Sequence, residues 1–120
     1  MKIIMCDDSV GKLITSKETN FVATRLIRDG VGIRVGYMFF KKGDRVEFHE
    51  ASVDQLFLVI NGEGWVAGTD RDSVEIHKGE AAFWKQGEMH EAGTEKGMEV
   101  ICIEGKNLDE YNTPVLQFDK

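Results

Sequence analysis

The sequence predicts an all-β domain, a sandwich or barrel of short strands. Three observations carry this. Runs rich in β-branched and aromatic residues recur about every ten residues, the rhythm of sandwiches and barrels. Thirteen glycines are spread along the chain against a single proline, which suits many tight turns between extended runs. Two of the run boundaries, Asp29-Gly30 and Asn61-Gly62, are pairs that tolerate positive φ and commonly close hairpins.

The strands follow in order. Residues 21–29 and 31–41 form the first expected hairpin, reversing near Asp29-Gly30. Residues 53–60 are nearly continuously apolar, so they read as a central strand, turning through Asn61-Gly62 into 64–68. Further strands are expected at 73–77, 80–84, 89–93 and 98–104. They are separated by turns at Asp70-Arg71-Asp72, Lys78-Gly79, Gln86-Gly87 and Glu95-Lys96-Gly97. The last stretch, 107–120, breaks the rhythm: a helical turn over 108–111 ahead of Pro114, then an extended end. With 120 residues, no linker and no repeat, the chain reads as one domain over 1–120, its core barrel at about 21–104 and a C-terminal extension at 107–120.

Charge narrows the functional classes. The net charge of −6, with no basic stripe, repels phosphate backbones and argues against nucleic acid as a partner. The N-terminal apolar run is short and turns acidic at Asp7-Asp8, and no stretch approaches the ~20 apolar residues of a membrane span. A cytoplasmic protein without a membrane partner is the expectation. Cys6 and Cys102 are far apart, and Cys102 within Val100-Ile101-Cys102-Ile103 reads as a small core hydrophobe. No nucleophile elbow, phosphate-cradling loop or paired thiol is present.

The spacing of glycines and histidines is more specific. Gly43 is followed after five residues by His49, Gln55 stands six further on, and Gly62 closes the pattern. A second set runs Gly79, Lys85, Gly87, His90, Thr94. These spacings resemble the two motifs of the cupin superfamily, G-x5-H-x-H-x(3,4)-E-x6-G and G-x5-P-x-G-x2-H-x3-N. Several identities differ, but every interval is kept. The resemblance implies a cupin-type jelly-roll β-barrel with His49 and His90 in one internal pocket. It also implies a metal site from both histidines and the glutamate of the first motif and the histidine of the second. Here Ala51 replaces the second histidine and Gln55 the glutamate.

The missing ligands leave two imidazoles and one neutral oxygen, and first-row metals held by two histidines prefer an anionic carboxylate beside them. Glu47, two residues before His49, projects to the same face of a regular strand. It therefore offers a His49, His90, Glu47 set for zinc, manganese, nickel or iron. No cofactor follows firmly from the sequence. Alternation along the second motif sends Glu88 to the side of His90, where a carboxylate would raise its pKa and serve acid–base chemistry. It sends Met89 and Glu91 to the other side. Trp84, Gln55 and Tyr37 complete the expected pocket lining, and His77, at a turn, is assigned no role.

Three functions fit. One is a binding module holding a small organic ligand, such as a sugar or small acid. A second is an enzyme, metal-dependent through His49, His90 and Glu47 or metal-free through His90 and Glu88. The fold hosts isomerases, lyases and dioxygenases alike and does not choose among them. The third is assembly through apolar outer strand faces. A homodimer is expected, with the apolar strand at 21–27 as an exposed edge.

Overall fold

The computed structural model describes residues 1–30 and 32–108. Nine strands make up its regular structure: β1 (Lys12–Ser16), β2 (Thr19–Gly30), β3 (Ile33–Phe40), β4 (Arg45–Glu50), β5 (Asp54–Ala67), β6 (Val74–His77), β7 (Ala81–Trp84), β8 (Met89–Gly93) and β9 (Met98–Gly105). All pairings are antiparallel, in the order β1-β2-β3-β9-β5-β8-β4, with β6 and β7 added along β5. The Asn20–Arg45 pairing of β2 with β4 closes β2, β3, β9, β5, β8 and β4 into a ring. This is the expected all-β jelly-roll barrel. No helix of the described residues is long and apolar enough to cross a membrane.

Alternation along the strands separates inside from outside. On β9, Met98, Val100 and Cys102 are buried. Their β5 and β3 partners Val59, Phe57, Phe40 and Met38 share that face. The interior is filled by aromatic rings. Phe21 stacks on Phe40 at 5.2 Å, Phe40 meets Phe57 edge-on at 6.2 Å, and Phe57 meets Trp84 at 5.7 Å. Offset and edge contacts of this kind are the favoured ring geometries.

Four expectations change. Asn61-Gly62 does not close a hairpin: β5 runs straight through it for 14 residues. Asn61 and Gly62 keep the β9 partners Glu99 and Met98, and the register slips between Val59 and Asn61. Gly62 takes φ +75°, a conformation open to glycine, so the pair bends the strand instead of reversing it. Past this bend β5 leaves β9 and pairs with β6 and β8. In the first hairpin the ladder continues through Asp29-Gly30 to a Gly30–Ile33 pair, and Gly32, at φ +78°, lies in the reversal.

The third change concerns the expected edge at 21–27. Its residues 21–23 lie between β1 and β3, while 24–27 pair with β3 alone, so the open edge is shorter than expected. The fourth is the addition of two strands: β1 lies ahead of the expected barrel, and the first motif's histidine sits on a strand of its own, β4. The helical turn expected over 108–111 lies outside the described residues beyond Leu108. Both cysteines are free thiols.

Candidate functional site

Strands β4 and β8 carry the two motif histidines, and an irregularity in β4 decides how they meet. Val46 pairs with Ala92 and His49 with His90, so two residues of β4, Glu47 and Phe48, oppose the single Glu91 of β8. An extra residue of this kind is a β-bulge, and it breaks the two-residue alternation. Ala92 belongs to the core and Val46 packs against it. The ring of His49 therefore joins that of His90 on the inner side although it lies three positions, not two, past Val46.

The rings are 4.3 Å apart between centroids. The spacing in sequence had implied this convergence, and the structure contains it. His90 is only 2% exposed and also stacks on Trp84 at 4.4 Å, with an interplanar angle of 29°. His49 is exposed and caps the stack. Its Nδ1 lies 2.7 Å from the backbone oxygen of Glu47. A carbonyl only accepts, so Nδ1–H donates, and in the neutral ring Nε2 is left with its lone pair.

Neither ring nitrogen of His90 meets a hydrogen-bond partner of full geometry, although both are buried. Buried polar atoms are almost always satisfied, and leaving one unsatisfied costs about 1–3 kcal/mol. Burial, reinforced by the neighbouring His49, pushes the pKa of His90 down to about 4, against a small upward pull from the Glu88 backbone. His90 is thus a neutral imidazole at neutral pH, with one nitrogen able to donate and one to accept.

The bulge also removes Glu47 from this pair. Its carboxylate faces β2, where Oε1 accepts from the Thr19 hydroxyl at 3.4 Å while Thr19 Oγ1 accepts from the Glu47 amide at 2.9 Å. Among the described residues no three His, Cys, Asp or Glu side chains converge as a metal-binding group. The set His49, His90, Glu47 does not assemble here. Two imidazoles with the Gln55 amide are fewer and weaker donors than a resident divalent metal takes.

Glu88 does not act as a carboxylate beside His90 either. It sits in the turn after Gly87, where Oε1 accepts from the Lys85 amide at 3.1 Å and its own carbonyl accepts from the Ala51 amide at 2.9 Å. The buried carboxylate of β8 is that of Glu91, on the opposite face. It accepts from Arg45 at 3.1 Å and from Arg71 at 3.0 Å. Those two guanidinium groups lie over the Trp65 and Phe48 rings at 5.5 and 4.3 Å. Nothing in the sequence marked this cluster, since Arg45 and Arg71 reach Glu91 from separate strands and loops. It locks the outer side of the strand that carries His90.

Gln55 is on the inner side, paired across the sheet with Trp84 and Glu104, and it hydrogen-bonds the Cys102 thiol. Burial pushes that thiol up to about 12, so Cys102 is inert, as its apolar setting suggested. Arg34 and Glu104, a 3.8 Å ion pair in the same cross-strand row, belong to this rim and carried no motif signal. Tyr37 does not line the pocket. Its neighbours Met38 and Phe40 face the core, so Tyr37 lies on the outer side, where its hydroxyl donates to Glu99 at 2.5 Å. Burial and that carboxylate both raise its pKa. His77 is exposed on β6, 3.2 Å from Glu80.

Two surface hollows, of about 370 and 600 Å³, lie elsewhere. The first is lined by Lys41, Lys42 and Lys96 among others, and the second by Ile33, Val53 and Leu108. Neither touches the histidines, whose surroundings are packed with rings.

No protein-family model and no curated protein sequence matches the chain. Solved structures do. A Cupin 2 conserved barrel domain protein from Salinispora arenicola CNS-205 matches at TM-score 0.74 and 14% identity, over 89% of this chain and 90% of that one. A cupin-like protein from Thermotoga maritima MSB8 matches at 0.72 and 18%, over 88% and 83%. A DMSP lyase from Ruegeria pomeroyi DSS-3 matches at 0.68 and 13%, over 89% of this chain but only 57% of the lyase. At these identities the likeness establishes the fold, a cupin-type barrel, and leaves the chemistry to the residues.

Proposed function

We propose that this cupin-fold barrel binds a small polar organic molecule, a sugar or small acid, at the His49–His90–Trp84 stack, without turnover. The observation that carries the reading is His90, buried with neither ring nitrogen in a hydrogen bond of full geometry. A ligand offering one acceptor and one donor would relieve that penalty. Trp84 supplies a flat apolar wall, and Gln55 on the same inner face supplies an amide. His49 covers His90 from the solvent side and is exposed. Rotation of its ring away from the Glu47 carbonyl would admit the molecule and present Nε2 to it.

The enzyme readings have less support. Metal-dependent chemistry lacks its carboxylate, which faces Thr19. Metal-free acid–base chemistry through Glu88 would need a carboxylate that instead accepts from the Lys85 amide.

Thermal unfolding against a panel of sugars and small carboxylic acids tests the proposal. A ligand of the native state must raise the melting temperature by mass action. The expected result is a rise for one chemical class with the wild type and none with His90→Phe. A panel that leaves the wild type unmoved, or moves both proteins equally, overturns it.

A further inference from the structure

The end of the barrel away from the histidine stack holds a hollow of about 370 Å³. Strands β4 and β8 separate the two places. His49 and His90 lie toward one end of these strands, and the reversals at 41–44 and 94–97 lie at the other. Those reversals are tied together by the Gly43 amide donating to the Thr94 carbonyl at 3.0 Å and the Thr94 amide donating to that of Asp44 at 3.1 Å. The hollow opens beside them, and three of its ten lining residues are lysines: Lys41, Lys42 and Lys96. Its volume is within the range of pockets that hold small organic molecules, about 300–1,000 Å³.

We infer that this hollow binds a small phosphorylated organic molecule, its phosphate among the lysines and its organic part against Phe39. Charge is the first argument. The chain carries −6, with fifteen lysines and arginines in 120 residues, so three cations among ten lining residues set the hollow apart from a surface that repels anions. Lys41 and Lys42 are exposed and pair with no carboxylate among the described residues. Lys96 meets Glu63 at 3.4 Å, an exposed pair that water screens. Glu99, the one acid lining the hollow, reaches no ammonium; its two oxygens accept from the Tyr37 hydroxyl and from Asn61 Nδ2. Asp44, in the same reversal, is buried and accepts from Asn20 Nδ2 and the Lys41 amide. A phosphate monoester carries about −1.5 to −2 at neutral pH and offers three acceptor oxygens, so it answers several ammonium groups where a carboxylate answers one.

Space is the second argument. Part of the wall is bare backbone. Gly62 and Gly97 take φ of +75° and +111°, and a Cβ on Gly62 would stand 2.3 Å from the Gly97 carbonyl oxygen. Only glycine fits there. The glycine that closes the first motif thus does more than bend β5: it keeps a side chain out of the hollow. The third argument is the apolar wall. Phe39 lies on the outer side of β3, since Met38 and Phe40 face the core, and it lines the hollow half-buried. A ring there offers a flat face to the organic part of the molecule.

Phenyl phosphate is the probe, with benzoate at matched ionic strength as the singly charged comparison. Calorimetric titration should show phenyl phosphate binding the wild type at least tenfold more tightly than benzoate. The double substitution Lys41→Ala, Lys42→Ala should weaken it at least tenfold further, while His90→Phe should leave it unchanged, which separates this site from the histidine stack. If the double variant does not fold, acetylation of the wild type decides. Phenyl phosphate should then protect Lys41, Lys42 and Lys96 from the reagent and leave Lys12 and Lys78 as reactive as before. A wild type that does not bind phenyl phosphate, or binds benzoate equally well, overturns the inference. So does binding that survives the double substitution or is lost in His90→Phe, or protection that fails to single out the three lysines.

Discussion

His49 and His90 are direct cross-strand partners, yet they live in different solvents. His90 lies on a regular strand, between Trp84 and His49, with its far side backed by the core. His49 lies just past a bulge, at the exposed end of the same stack, tied to its own backbone through the Glu47 carbonyl. The contrast comes from strand geometry and not from residue type. A regular strand delivers its histidine into the barrel and fixes it; a bulged one leaves its histidine at the surface, held by one local hydrogen bond. One imidazole therefore suits recognition of a buried polar group, and the other suits control of access to it.

The largest effect should come from removing what separates the two environments. Trp84→Ala leaves His90 without its stacking partner and opens a large cavity against Phe57. A loss of about 3–5 kcal/mol is expected in urea unfolding, with the slope unchanged. A loss below about 1 kcal/mol would mean that the stack does not hold His90 in place.

Acid should act on His90 next. In the unfolded chain its pKa is near 6.5, and in the native state about 4. Between those values the unfolded chain takes up a proton that the native state refuses. Stability from this residue is therefore fully present above pH 6.5 and declines as pH falls toward 4. The shift bounds the loss at about 3 kcal/mol, and solvent near the exposed His49 reduces it. Unfolding free energies measured from pH 7 to 4 should show this decline, and His90→Phe should remove that component of it. An identical pH profile for the variant would contradict the buried, neutral imidazole.

On the opposite face of β8, Glu91→Ala strips Arg45 and Arg71 of their common carboxylate. About 2 kcal/mol should be lost, less than for a fully buried pair because both guanidinium groups are partly exposed. High salt should recover little of the difference, since the carboxylate itself is buried. The smallest effect belongs to His49→Ala, under about 1 kcal/mol at neutral pH. Its signature is electrostatic: a proton-detected titration should find the His90 pKa raised, because water reaches the ring and a neighbouring positive charge is gone. Should His90 titrate as in the wild type, the two rings do not share an environment.

Much of this was readable from glycines and histidines at fixed intervals. Gly43, Gly79 and Gly87 all take positive φ at reversals, which is why their spacing carries the fold. The meeting of His49 and His90 followed from the same intervals. What escaped was parity. Projecting Glu47 onto the face of His49 assumed unbroken alternation, and the bulge at Glu47 and Phe48 shows only in the pairing with β8, which lies forty positions away in sequence. Tyr37 was assigned to the pocket because an apolar strand buried on both sides gives no sign of which side is the core. Asn61-Gly62 misled for a different reason. It is a good hairpin sequence, but the ladder to β9 continues through it, and long-range pairing overrode the local preference.

That uninterrupted β5 also bears on how the molecule assembles. It is hydrogen-bonded along its length to β6, β7, β8 and β9, and its Phe57 waits for Cys102, forty-five positions later. Loops that long must close before the pairing rewards them, which places the chain among slow, high-contact-order folders. The chain must extend to Gly105 at the end of β9 before this strand acquires its full set of partners. A nascent polypeptide ending anywhere before β9 would present the apolar run of β5 with one side unpaired, open to association with other chains.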